Sequence, residues 1–409
     1  MKNDLDQLMQ QRELAAIIVV GGSHVNVPRA YLSNGAHVTG GYIVKKRGEA
    51  AVMVVNAMET EEAAKSGLRV LSYFDLGWAD LLNTFDGDQT KASLMFWGRM
   101  LEKLGVDGGK IGIYGEGAIH QYIAMIPRLN EALHAYQFVG EDGKTIFDEA
   151  FQTKDADELL RIRSVAARTN EVLGQTWDYI ASHLTDGDTV VDAEGKALTI
   201  GDVKRFVRRA LLDRDLEDTD MIFAQGRDGG FPHSRGEDDM ALRVGEPIVF
   251  DLFPREIGGG YYHDVTRTWS INVVRPEVQN AYELVMNALD VAIDTFQPNI
   301  PAKIVQESVQ SYFESHGHPT GRSHPGTTIG YVHGLGHGVG LEIHESPSIG
   351  HLSKDTLAVG NVITLEPGLY YPEQGFGVRV EDTFYVDANG TLISLTDFRK
   401  DILLPLRGV

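Results

Sequence analysis

The sequence contains no cysteine, which excludes thiolate nucleophiles, disulfides and zinc–thiolate sites and suits the cytoplasm. Long hydrophobic runs are also missing: nowhere does the chain carry the ~20 apolar residues that a membrane-spanning helix needs. The opening MKNDLDQLMQQRELAAIIVV places acids in its first turns, unlike a secretory signal. Basic residues are in short supply, with 37 Lys and Arg against 58 Asp and Glu, a net charge of -21. Such a surplus repels nucleic acid and anionic membrane surfaces, so neither is expected as a partner. A soluble, cytoplasmic protein is expected.

What is present describes a chain with a sizeable core. Of its 409 residues 43% are hydrophobic and 23% charged, enough for two or three domains of roughly 150 residues each. Residues 1–150 are expected to form a smaller α/β domain and residues 151–409 the other. In the first, LAAIIVV at 14–20 ends in Gly21-Gly22, the pattern of a buried strand. Strand patterns recur at 37–44 and 50–55, around a turn at 45–49, and at 110–114. Helical spacing marks 92–104 and 118–126, with Pro127 expected to end or kink the second helix. GEGAIH at 115–120 lacks the third glycine of a nucleotide loop, and His24 and His120 read as turn or surface residues. This half carries no chemistry of its own.

The boundary is expected near residues 148–155, where a long helix over 154–184 begins. Thr153 suits its N-cap, and Leu159, Leu160, Ile162 and Val165 suit an apolar stripe. A second helix fits 200–213, and the glycine-rich segment 221–236 ends in FPHSRG, presenting His233. Strand 247–253 (PIVFDLF) carries Asp251, and YYHDVTRTWSI, after three glycines at 258–260, carries Asp264. Helices at 276–296 and 301–315 each open on proline. Residues 331–347, YVHGLGHGVGLEIHESP, then set His333, His337 and His344 among Gly334, Gly336, Gly338 and Gly340. Glycines without a Cβ admit a second backbone or a ligand, and histidine is the commonest metal-ligating side chain. Three histidines in twelve residues make this an active-site stretch rather than a surface turn. Residues 361–371 and 377–386 form a second strand pair with Glu366 and Glu381. Two acid-bearing strand pairs separated by two helices suggest a duplicated half-domain.

An acid inside an apolar strand is costly unless paired or coordinated. Asp251 and Asp264 lie equidistant from the loop centre near Ile257, and Glu366 and Glu381 from Glu373–Gln374, so each pair is expected to face across its hairpin. Four mutually repelling carboxylates call for a cation. With one imidazole they exceed a closed zinc site and suit two metals sharing carboxylates, of the oxygen-tolerant kind such as manganese or cobalt. Two metals at about 3.5–4 Å would convert a water into a bridging hydroxide and polarise a carbonyl, a site built for hydrolysis.

The ordered set FDLFPREIGGGYYHDVTRT, HGLGHGVGLEIHE, LEPGLYY and VRVEDT resembles the metallopeptidase family with the pita-bread fold. That family includes methionine aminopeptidases, Xaa-Pro aminopeptidases and prolidases. The likeness covers residues 231–386, and VPRAYLSN at 27–34 resembles the creatinase/prolidase-type N-terminal domain. The resemblance implies an α+β fold, a C-terminal pita-bread catalytic domain with a smaller α/β N-terminal domain. It implies Asp251, Asp264, His337, Glu366 and Glu381 as ligands of two divalent ions, manganese foremost with cobalt or zinc as alternatives. Asp264 and Glu381 resemble the bridging pair, Asp251 completes one metal, and His337 with Glu366 completes the other. His344 resembles the donor to the scissile carbonyl, with His233 and His333 on the leaving-proline side. Arg379 resembles the arginine behind the ligands, and Tyr370 a site tyrosine. The thirteen residues from Asp251 to Asp264 exceed the family's common spacing of about eleven, which lengthens the hairpin loop without turning either acid over.

The implied activity is removal of the N-terminal residue from small peptides with proline second, by an Xaa-Pro aminopeptidase or Xaa-Pro dipeptidase acting as a homodimer. A related hydrolase of a small non-peptide amide or osmolyte is the alternative. A metal-free creatinase-like enzyme and a non-enzymatic binding protein fit less well with five retained ligands. HESPS at His344 is not the H-E-x-x-H of a zincin, and no Lys-Ser/Thr follows the glycines to make a phosphate loop. His316, His318, His324 and His351 are expected on loops, and His263, beside Asp264, on the opposite face of its strand.

Overall fold

The computed structural model describes residues 4–22 and 25–407, so His24 lies outside the described residues. The chain divides into two compact units, Met1–Ala150 with Gly258–Gly260, and Phe151–Ile257 with Tyr261–Val409.

The first unit is built on a mixed sheet of six strands: β1 (Leu14–Val20), β2 (Tyr42–Lys46), β3 (Val52–Val55), β4 (Arg69–Ser72), β5 (Gly109–Gly115) and β6 (Tyr136–Val139). Their order is β4-β3-β2-β1-β5-β6. The apolar run of β1 is central and buried, pairing antiparallel with β2 and parallel with β5. Ala16, Ile18 and Val20 share a core with Phe96, Trp97 and Met100 of helix α1 (Gln89–Lys103). Strand β2 starts at Tyr42 rather than near His37, because Gly41 takes a positive φ of 96° there and interrupts the extended chain. Helix α2 (Ile119–Ala132) runs through Pro127 instead of ending at it. The lost bond would have used the carbonyl of Ile123, a residue 67% exposed, where water can replace the missing donor. His120 is exposed in the first turn of α2.

The second unit places pairs of helices over sheets. Helix α3 (Ala156–Ala181) starts later than its apolar pattern suggests. Asp155, not Thr153, is its N-cap, accepting from the amides of Asp157 and Glu158 in a capping box. Leu160 faces solvent at 70% exposure, while Ile162, Val165, Val172 and Leu173 carry the buried stripe. Beyond Ala181 the chain turns extended, Leu184–Asp186 pairing with Thr189–Val191. Helices α3 and α4 (Ile200–Leu212) cover a sheet of β7 (Met221–Gln225), β8 (Pro247–Leu252), β9 (Val265–Ile271) and a short late strand, Leu403–Leu404. Helices α5 (Pro276–Thr295) and α6 (Ala302–Ser315) cover the second set. That set comprises β10 (Gly336–Gly338), β11 (Glu345–Ile349), β12 (Val362–Leu365), β13 (Gly368–Tyr371), β14 (Phe376–Arg379) and β15 (Asp382–Val386). The expected strand 361–371 is thus two strands broken at Glu366-Pro367, and 377–386 is broken at Val380-Glu381.

Strand alternation gives each half two unlike faces. On β8 and β9, Ile248, Phe250, Leu252, Val265, Trp269 and Ile271 pack under α3 and α4. Asp251, Thr266 and Thr268 therefore face the other way. On β12, β14 and β15, Ile363, Leu365, Val378 and Phe384 pack under α5 and α6, which turns Thr364, Arg379 and Thr383 to the inner side. The polar inner faces meet where Thr266 forms an antiparallel bridge with Glu381.

Candidate active site

Asp251 lies opposite Thr266 in the β8–β9 ladder, with Leu252 opposite Val265. Asp264 sits two residues before Thr266, so it shares the inner face with Asp251 as a diagonal rather than a direct neighbour. The expected symmetric hairpin is corrected here by two residues. The ladder's register continues into the loop, where Arg255 bridges Tyr262, so the hairpin centres between Gly258 and Gly259 rather than near Ile257. A slip of two, unlike a slip of one, leaves both carboxylates on one face.

The other pair follows the expected register. Gly368 lies opposite Arg379 in one ladder and Leu365 opposite Asp382 in the next, so Glu366 falls across from Glu381 in the gap between them. Thr266 Oγ1 donates to Glu381 Oε2 at 2.7 Å and receives a bond from Arg379 Nε at 3.1 Å. Arg379 is buried and holds several site groups at once. It donates to Asp251 Oδ2 at 2.7 Å, to the Tyr370 hydroxyl at 2.9 Å and to the Pro232 carbonyl at 3.1 Å. The last bond fixes the segment that carries His233.

The glycines around His337 bring it to the acids. A Cβ at Gly336 would meet the Thr364 carbonyl oxygen at 2.1 Å, and one at Gly338 the Ser346 oxygen at 2.3 Å. The His337 amide donates to Thr364 Oγ1 at 3.1 Å. Its Nδ1 lies 3.0 Å from the Gly338 carbonyl, which fixes the proton there and leaves Nε2 as a lone-pair donor. That Nε2 stands 3.6 Å from both Asp264 Oδ2 and Glu366 Oε1. His344 packs edge-on against His337, ring centroids 4.4 Å apart. His333 reaches the Tyr370 hydroxyl through Nε2 at 2.8 Å, with Nδ1 on the Gly334 carbonyl at 2.7 Å.

All five expected ligands, together with His233, His333, His344 and Arg379, line one cavity of about 450 Å³. Tyr370 is fully buried behind it and touches it through His333 and Arg379. Of the other histidines, His316, His324 and His351 are exposed, while His318 bonds the Tyr371 hydroxyl. His263 is buried within 3.4 Å of Thr396 Oγ1 and does not line the cavity.

The electrostatics are those of a site made for cations. Burial, then the neighbouring Glu381, pushes Asp264 well above the carboxylate range. Burial, then Glu366 and Asp251, does the same to Glu381. Burial raises Glu366 to about 8 against the pull of Arg379. Burial lowers His333 and His337 to about 3, so both imidazoles are neutral near pH 7. Asp264, His337 and Glu381 each offer one ligand atom within 4.8 Å of the others. Asp251 Oδ1 and Asp264 Oδ1 are buried without a hydrogen-bond partner among the described residues. Oxygen-rich, proton-retaining and partly unpartnered, this donor set fits divalent metal ions.

The profile of metallopeptidase family M24 matches residues 161–388, more than half of the chain. The chain belongs to this family. Within it, the sequence is 34% identical over 187 residues to an Xaa-Pro dipeptidase of Pyrococcus furiosus, 45% of this chain and 49% of that protein. The chain thus spans about half the length of the curated Xaa-Pro dipeptidases it matches. The structure superposes on an Xaa-Pro dipeptidase from Bacillus anthracis with a TM-score of 0.75 at 20% identity, covering 98% of each chain. It also superposes on the N-terminal domain of FACT complex subunit SPT16 from Cicer arietinum, with a TM-score of 0.64 at 15% identity, covering 98% of this chain and 99% of that one. These likenesses establish the α+β pita-bread fold with its N-terminal domain.

Several cavity residues of this M24 member are marked by no motif in the sequence. Asp220, Ile222, Arg235, Phe253 and Ile343 also line it, with Arg235 paired to Asp220. Phe253 and Thr266 were within reach, each two residues from a singled-out acid and so on its face. Asp220 and Ile222 carried no local signal.

Proposed function

We propose that the protein is a dinuclear-metal hydrolase that removes the N-terminal residue from small peptides with proline in the second position. The observation that carries this reading is the convergence of four carboxylates, one within a strand and three at strand ends, and a neutral His337 on one cavity. Asp264 and Glu381 would bridge two divalent ions, with Asp251 completing one and His337 with Glu366 the other. When bound, the ions supply Lewis acidity, which turns a water into a nucleophile at neutral pH and polarises the scissile carbonyl. Manganese suits these oxygen ligands, with cobalt or zinc as alternatives.

The chain's own residues supply the rest. Arg379, held to Asp251 and Tyr370, keeps the acid cluster in place without itself titrating. His344, exposed to the cavity, donates to the carbonyl oxygen as that oxygen gains charge. His233 and His333 line the side where proline leaves, and Glu366, beside them in the cavity, is read as a catalytic group as well as a ligand. Residues 151–409 are the catalytic domain in this reading and residues 1–150 the N-terminal domain, in a cytoplasmic homodimer. No helix among the described residues is long and apolar enough to cross a membrane.

Xaa-Pro dipeptides and Xaa-Pro-Xaa tripeptides, assayed side by side with manganese, cobalt and zinc, test the reading. Turnover of either class with added metal is expected, and the ratio separates a dipeptidase from an aminopeptidase. No turnover of either under any metal would sink it.

A further inference from the structure

Behind the histidine-bearing loop lies an ion pair that the chemistry above does not use. Lys154 Nζ and Glu345 Oε2 are 2.6 Å apart, with their side chains only 1% and 2% exposed. Lys154 belongs to the segment that leads into α3, anchored where its amide donates to the Gly360 carbonyl at 2.8 Å and its Nζ to the Phe151 carbonyl. Glu345 directly follows His344. Its second oxygen, Oε1, accepts from the Glu342 amide at 3.0 Å, so one carboxylate closes the turn at 342–345 and moors it to Lys154. Gly340 lies against that carboxylate: a Cβ there would stand 2.4 Å from Oε2. The Gly340 carbonyl in turn accepts from the Tyr262 amide at 2.8 Å, two residues before Asp264. The turn is therefore held at both ends, while the His344 ring itself projects exposed into the cavity.

We propose that the Lys154–Glu345 ion pair is a positioning device that fixes the His344 imidazole over the metal cavity. It rests on the reading of His344 as the donor to the carbonyl oxygen. The pair sits away from water, so nothing screens it, and removing either charge leaves the other buried without compensation. A released Glu345 would swing toward solvent, free the Glu342 amide and let the His344 turn drift. Displacement of a reacting group by about 1 Å can cost up to about 10²-fold in rate.

Lys154→Met and Glu345→Gln decide the matter, measured by metal content, steady-state kinetics and the imidazole NMR signals of ¹⁵N-histidine-labelled protein. Full metal content is expected in both. Turnover should fall about ten- to hundredfold with KM held within about twofold, the His344 signal should broaden or shift, and Lys154→Arg should recover part of the rate. If Lys154→Met does not fold, Glu345→Gln, which keeps the shape and the Oε1 acceptor, carries the same test. Loss of thermal stability with turnover and the His344 signal unchanged would overturn the proposal. The NMR readout needs no substrate, so a wild type inactive on Xaa-Pro peptides would defeat the peptidase reading while still testing the positioning.

Discussion

In the β8–β9 pair, Asp251 lies inside a continuous ladder and Asp264 just outside it, whereas Glu366 and Glu381 both fall in a gap between two ladders. The first arrangement offsets its acids by two residues and the second sets them face to face. Both deliver carboxylates to the same inner surface, because facing depends on whether the offset is even and not on its size. The hairpin of the first pair can therefore be lengthened or skewed by neighbouring strands without loss of the site. The second pair achieves more freedom at the acids themselves, since Glu366 and Glu381 sit where strand pairing stops.

If the two pairs are equivalent in spite of their different geometry, one acid from each should matter equally. Asp264→Ala and Glu381→Ala are both expected to abolish metal binding and turnover together, measured by metal analysis and peptide hydrolysis. Either variant keeping full metal content and near-normal turnover would break the equivalence.

A smaller effect separates the histidines that lie between the pairs in sequence. His344→Ala should keep its metals and lose about 10²–10³-fold in turnover, the usual loss for one donor to a developing oxyanion. His337→Ala should instead lose metal, because its Nε2 stands among the acids. Equal metal loss in both, or an unimpaired His344→Ala enzyme, would contradict that division.

The smallest expected effect is a pH dependence of the metal-stripped protein. Glu366 rises from 4.5 to about 8 on folding, so the stability it contributes is complete below pH 4.5 and lost as pH climbs through about 8. His333 and His337, lowered from 6.5 to about 3, act oppositely but only below pH 6.5. Between pH 6.5 and 8 the carboxylates alone set the trend. Metal ions displace those protons, so the gap in Tm between loaded and stripped protein should widen across that window. One such group contributes at most about 1.4 kcal/mol per pH unit. A gap that narrows with pH would show that the acids are not held protonated.

Much of this could be read along the chain, because the signals were local. Acids within apolar strands, glycines flanking histidines and prolines opening helices all act over a few residues, and parity in a strand fixes facing. What differs depends on a competing cap, on solvent or on partners farther along the chain. The start of α3 moved to Asp155 because Glu158 completes a capping box, and Leu160 lost its place on the stripe because the buried face runs through Ile162 and Val165. Pro127 failed to end α2 because Ile123 has solvent to satisfy it. The offset of Asp251 from Asp264 comes from the centre of the hairpin, between Gly258 and Gly259, a register kept from the ladder through Arg255 opposite Tyr262. Asp220 and Arg235 enter the cavity only through the path of β7 and its flanking segments.

The central claim, that the two strand pairs share one dinuclear site, is tested most directly by counting metal. Titration of the stripped wild type with manganese, followed calorimetrically beside Asp251→Ala and Glu366→Ala, gives the stoichiometry of each. The account predicts two equivalents for the wild type and one for each variant, since the proposed ligand set gives Asp251 to one metal position and Glu366 to the other. A wild type that binds one ion or none, or variants that both retain two, would contradict it.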